Sequence, residues 1–187
     1  NPDFSSTFGT NITGISQIAG EMQFGDNTTL MITSQTRQVD GAHDLSIYNY
    51  LQGISSYSNE NLTFGDKTTI KMISEISNNR VSHSFNENSY MRGIVWGDGT
   101  LAFGDDTTIE LKAGGGEIVS EGSQEIGWNN ASHNSDLAGV FVQGGGVQFN
   151  DNTTILVDYQ ESEMSGYTGA STFNRLINER NNSSIPR

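Results

Sequence analysis

GISSYSNENLTFGDKTTIKM, residues 53–72, is one of four copies of nearly the same segment. The others are GISQIAGEMQFGDNTTLMI (14–32), GIVWGDGTLAFGDDTTIEL (93–111) and GVFVQGGGVQFNDNTTILV (139–157). Their central phenylalanines, Phe24, Phe64, Phe103 and Phe149, are 40, 39 and 46 residues apart, and the spacers 33–52, 73–92 and 112–138 absorb the drift in length. A unit repeated at this period cannot bury its apolar face alone, so the copies are expected to stack on one another.

Within each copy, apolar residues alternate on both sides of a short turn: Met22, Phe24, then Leu30, Ile32; Leu62, Phe64, then Ile70, Met72; and equivalently to Val157. A period of two predicts strands with one buried face, the four phenylalanines forming a repeated core. Met31 and Leu156 break the pattern by placing apolar groups outside. The turn reads GDN, GDK, GDD and NDN. Gly25, Gly65, Gly104 and Asn150 are residue types that tolerate positive φ, while the carboxylates of Asp26, Asp66, Asp105 and Asp151 suit bonds to turn amides. A second corner falls at Ala19-Gly20, Ser58-Asn59, Gly97 to Gly99 and Gly144 to Gly146, preceded by a strand opening Gly-Ile or Gly-Val.

Three short strands and two corners in about twenty residues predict an all-β fold, a parallel β-helix (β-solenoid) with about twenty-residue coils. Each spacer would add one degenerate coil, with strands at Leu45 and Ile47, at Val81, His83 and Phe85, and at Ile118 and Val119. Eight or nine coils would then span roughly 40 Å. The competing arrangement is a β-propeller, whose blades have a similar period. Residues 1–157 form the repeats; 158–187 drop the motif and read as a cap, a junction or a frayed end.

Composition narrows the function. Apolar residues make up 33% and charged residues 17%, the rest being rich in Gly, Asn, Ser and Thr, which favours turns and strands over helices. The formal charge of -13 excludes the basic footprint needed to bind nucleic acid and disfavours an anionic membrane surface. No apolar run is long enough to insert in a bilayer as a helix. Without cysteine there are no disulfides, thiol nucleophiles or cysteine-type zinc sites. Triplets of the glycosylation type, such as those at Asn27 and Asn152, arise freely in a chain this rich in Asn and Thr.

The four segments, about 77 of 187 residues, resemble the imperfect repeats of bacterial autotransporter passenger domains: Gly-Ile, a Gly-rich corner, an apolar strand, Gly-Asp/Asn, then Thr-Thr-Ile. The resemblance implies a right-handed parallel β-helix, secreted and displayed at the bacterial cell surface as an adhesin. Passengers of that family run to several hundred residues and accompany a membrane barrel, so the resemblance would make these 187 residues a fragment, a cleaved product or a different solenoid protein.

No catalytic residue is nominated. Some β-helices cleave polysaccharides with carboxylates converging on a groove, but here the acids recur once per repeat in equivalent turns, as scaffolding does. No metal site or cofactor is expected either. The nonapeptide calcium repeat is absent, and with a spacer coil between copies, equivalent acids would lie about 9.6 Å apart, too far for one ion. His43, His83 and His133 have no ligand-like spacing, and the Gly-rich corners do not open a phosphate-binding helix. Recognition is expected in the spacers, with Tyr48, Tyr50, Tyr90 and Trp128 as candidate residues. The implied partners are a host or cell-surface glycan or protein, or copies of the chain itself. Adhesion or self-association comes first, an end-to-end structural filament or surface-layer subunit second, and a polysaccharide-acting enzyme third.

Overall fold

The computed structural model describes residues 5–36, 40–75, 77, 79–114, 117–120, 130–160, 163–165 and 172–173, with no helix among them. The first repeat folds as β1 (Ser5–Gln17), β2 (Met22–Phe24) and β3 (Thr29–Gln35). The second gives β4 (Asp40–Ser56), β5 (Leu62–Phe64) and β6 (Thr69–Glu75). The third gives β7 (Asn79–Trp96), β8 (Thr100–Phe103) and β9 (Thr108–Gly114). The fourth comprises β10 (Glu117–Ser120), β11 (Asn130–Val142), β12 (Gly146–Phe149) and β13 (Thr154–Gln160). Two short strands follow, β14 (Glu163–Ser165) on β10 and β15 (Thr172–Phe173) on β11.

All these strands pair in parallel, and each pairing joins one repeat to the next. The result is three sheets: a long one built on β1, β4, β7, β10 and β11, a short one of β2, β5, β8 and β12, and a third of β3, β6, β9 and β13. Each four-stranded sheet takes one strand from each repeat, the opposite of a propeller blade, which takes its strands from a single repeat.

The register corrects the expected coil of about twenty residues. Phe24 lies beside Phe64, Phe64 beside Phe103 and Phe103 beside Phe149, so one circuit takes the 40, 39 or 46 residues between them. The spacers are not extra coils. β4 and β7 run unbroken for 17 and 18 residues, out of the spacer and through Gly53-Ile54 or Gly93-Ile94. The segments around Leu45, Phe85 and Ile118 are strands, as expected, but they lie in the long sheet and lengthen one side of the same coil. Four rungs make the first-to-last distance about 14 Å rather than 40 Å.

The second coil shows how the interior fills. Leu45, Ile47, Leu51 and Ile54 enter from the long sheet, Leu62 and Phe64 from the short one, and Ile70 and Met72 from the third, all buried. Each such side chain contributes roughly 1.5–3 kcal/mol relative to exposure. Where the long sheet nears the third, the opening glycine of each copy is required for space. A Cβ on Gly93 would lie 2.6 Å from Gly139 O and 2.8 Å from Ile109 Cγ2.

A polar seam interrupts this core. Ser34 Oγ donates to Thr10 Oγ1 at 3.4 Å in the first coil. One rung on, Asn49 and Ser74 occupy the equivalent positions, both buried. Their Nδ2 and Oγ find no hydrogen-bond partner among the described residues.

Candidate functional site

The repeated turn is a ladder of backbone bonds and carboxylate caps. Asp26 Oδ1 accepts from Asp66 N (3.0 Å), Asp66 Oδ1 from Asp105 N (2.8 Å) and Asp105 Oδ1 from Asp151 N (3.3 Å). The first threonine of each Thr-Thr pair closes its own turn: Thr28, Thr68, Thr107 and Thr153 donate from Oγ1 to the carbonyls of Gly25, Gly65, Gly104 and Asn150.

This geometry changes the reason for the turn glycines. Positive φ falls two residues later, at Asn27, Lys67, Asp106 and Asn152, and not at Gly25, Gly65, Gly104 or Asn150. Gly65 and Gly104 are needed because a Cβ would overlap the carboxylate capping from the previous rung and lie 2.6 Å and 2.7 Å from Asp26 N and Asp66 N. The carboxylates are also one rung apart, about 4.8 Å and not 9.6 Å, so the distance argument against a shared cation does not hold. Each of Asp26, Asp66 and Asp105 is instead occupied by a backbone amide, and no group of three His, Cys, Asp or Glu side chains gathers as a metal site among the described residues.

The spacers, expected to fold as degenerate coils of their own, present a strand face of the long sheet. Tyr48 and Tyr50 lie on β4 and Tyr90 on β7, and their exposure places the first two on the outer side of the long sheet, at 46% and 39%. Inward-facing Ile47, Asn49 and Leu51 alternate with them. Register sets Tyr50 beside Tyr90, and their rings stack at 4.4 Å with planes 3° apart. The Arg92 guanidinium lies 4.3 Å over Tyr90 and 3.7 Å over Phe141, joining the stack to the fourth rung. Gln52 Nε2 donates to the Tyr50 hydroxyl at 2.9 Å, and Thr13 Oγ1 reaches Gln52 Oε1 at 3.5 Å. The Tyr50 ring is thereby held with its second face toward the first rung, where Asn11 is its register partner.

Trp128 lies outside the described residues, as does most of 158–187. His43, His83 and His133 fall in β4, β7 and β11. On the outer side of the third sheet, Met31 and Leu156 are 60% and 53% exposed. They flank the Lys71–Glu110 ion pair, 2.9 Å, in one register column.

Sequence reasoning missed Gln52, Arg92 and Phe141. For Gln52 and Arg92 the signal was present: Thr13, Gln52, Arg92 and Ala138 each immediately precede the opening glycine of a copy. They become a column once the coil is taken as one full repeat.

The class defined by fold and site is an all-β stack of parallel coils, with a capped acidic edge and an aromatic-polar outer face. No protein-family model, curated protein or solved structure matches the chain.

Proposed function

We propose that the chain is an extracellular adhesive β-solenoid of a bacterial cell surface, similar to an autotransporter passenger, and not an enzyme. Its partner is a cell-surface glycan or protein, or another copy. The coil is taken as right-handed, the hand that parallel strand crossovers adopt almost without exception. The observation that carries this reading is the Tyr50, Tyr90 and Arg92 stack, with exposed Tyr48 beside it, carried on a strand face instead of a loop. A rigid face of this kind suits many simultaneous weak contacts when several molecules share a surface.

The test compares inert beads coated with the chain against the chain free in solution, scored for attachment to cells. Adhesion predicts strong bead attachment, blocked only by high concentrations of free chain. Beads that attach no better than albumin-coated ones would sink the proposal.

A structural filament remains the second reading because of the end rungs. Phe64 and Phe103 are 5% and 2% exposed, whereas Phe24 and Phe149, though stacked in the same column, are only half-buried. Pairing β12 of one copy with β2 of another, the two ends of the short sheet, would cover both phenylalanines. Concentration-dependent light scattering separates the two: growth into polymers supports the filament, and a concentration-independent monomer rejects it.

A further inference from the structure

We infer that the ledge between Tyr50 and the first rung is a binding subsite for one pyranose unit of a neutral glycan. This rests on the adhesive reading above and names the ligand class for that face.

Tyr90 has both ring faces occupied, one by Tyr50 and the other by Arg92. Among the described residues Tyr50 stacks on one side only, and in the first rung the aromatic column ends at Asn11. The ledge so formed has an aromatic wall, its hydroxyl tethered by Gln52, with exposed Asn11 and Thr13 at its base. Beside it, Gly9 is the register partner of exposed Tyr48, and a Cβ there would meet nothing within 4 Å. The aromatic column is thus interrupted at one rung spacing, about 4.8 Å, where a flat ring can continue the stack.

A pyranose matches these surroundings. Its C–H face packs on an aromatic ring, and its hydroxyls exchange hydrogen bonds with an amide and a threonine hydroxyl, which both donate and accept. Charge selects a neutral sugar. The chain carries -13, and Arg92, the cation of the aromatic stack, already lies over Tyr90 and Phe141, so an acidic sugar would meet a surface of like charge. Ligand sites of this type combine apolar contact with a few placed polar groups.

The experiment is direct binding of the purified chain to immobilised gluco-, galacto- and manno-oligosaccharides, with a sialylated oligosaccharide as the charged comparator. The expected result is binding to at least one neutral oligosaccharide in preference to the sialylated one. Tyr50→Ala should weaken it at least tenfold, Asn11→Ala several-fold, and Tyr50→Phe, which keeps the ring face, less than about threefold. Tyr57→Ala, an exposed tyrosine at a corner, should change nothing, and circular dichroism melts confirm that each variant folds. Binding to no neutral oligosaccharide overturns the inference, as does equal binding by folded Tyr50→Ala. If coated beads still attach to enzymatically deglycosylated cells, adhesion stands and the sugar ledge falls. If the oligosaccharides bind but beads attach to no cells, the ledge stands and the adhesive role falls.

Discussion

Phe64 lies in a continuous ring stack, 4.8 Å from Phe24 on one side and 5.0 Å from Phe103 on the other. Three repeats therefore share one contact, and damage to it is felt in neighbouring coils. Phe64→Ala should cost about 3–5 kcal/mol and Phe149→Ala clearly less, since Phe149 stacks on Phe103 and is only half-buried. Urea unfolding of both variants checks the ranking; equal losses would contradict the stacked core.

Gly65→Ala should destabilise by about 1–3 kcal/mol because the new methyl enters the space of the Asp26 cap. Gly25→Ala, the same motif position one rung earlier, meets nothing within 4 Å and should be tolerated. Thermal melts of the pair distinguish close approach from a demand for positive φ, which would make the two positions behave alike.

Asp66→Ala should lose about 1 kcal/mol with the hydrogen bond to Asp105 N, while Asp66→Asn keeps an acceptor and relieves like charge along the column. Added monovalent salt should raise the parent's melting temperature more than that of Asp66→Asn, by screening the remaining repulsion. Chelation should leave the melting temperature unchanged, and a large drop with EDTA would place a metal in the turn ladder.

Lys67 sits at φ 58, where the equivalent residues of the first and fourth repeats are Asn27 and Asn152. Asparagine tolerates this region better than lysine, so Lys67→Asn should stabilise by about 0.5–1 kcal/mol, read as a shift in the urea midpoint.

The buried seam gives an opposite sign to the usual core substitution. Asn49 Nδ2 and Ser74 Oγ lack partners among the described residues, and replacing both by apolar groups removes two desolvated donors. Asn49→Leu with Ser74→Ala should gain about 1–3 kcal/mol by urea unfolding. A loss would mean that these groups are satisfied in solution.

The alternation around Phe24, Phe64, Phe103 and Phe149 was legible because period two is dictated by strand geometry, whatever the strand pairs with. The coil length was not. Gly53 and Gly93 look like strand openings although β4 and β7 run through them, and the long strands have little sequence likeness between repeats, so a 20-residue spacer looks like an independent turn of the solenoid. The candidate tyrosines were visible as residue types. Their meeting was not, because Tyr50 and Tyr90 become neighbours only when one circuit is 40 residues, and the same ambiguity concealed Arg92. The turn acids were read as backbone partners, but their bonds run to the next rung, a relationship that the spacing of a single copy does not contain.

The 40-residue circuit also makes assembly resemble crystal growth. Bringing two rungs together closes a loop of about forty residues, an entropic cost of roughly 3 kcal/mol before any constant term, and the first such closure has no template. Once β1, β2 and β3 are covered by the second repeat, each later repeat meets three preformed edges at once. The chain then advances as a growing front from whichever pair of rungs closes first, so that the cost of ordering is concentrated in one step and shared by all four repeats.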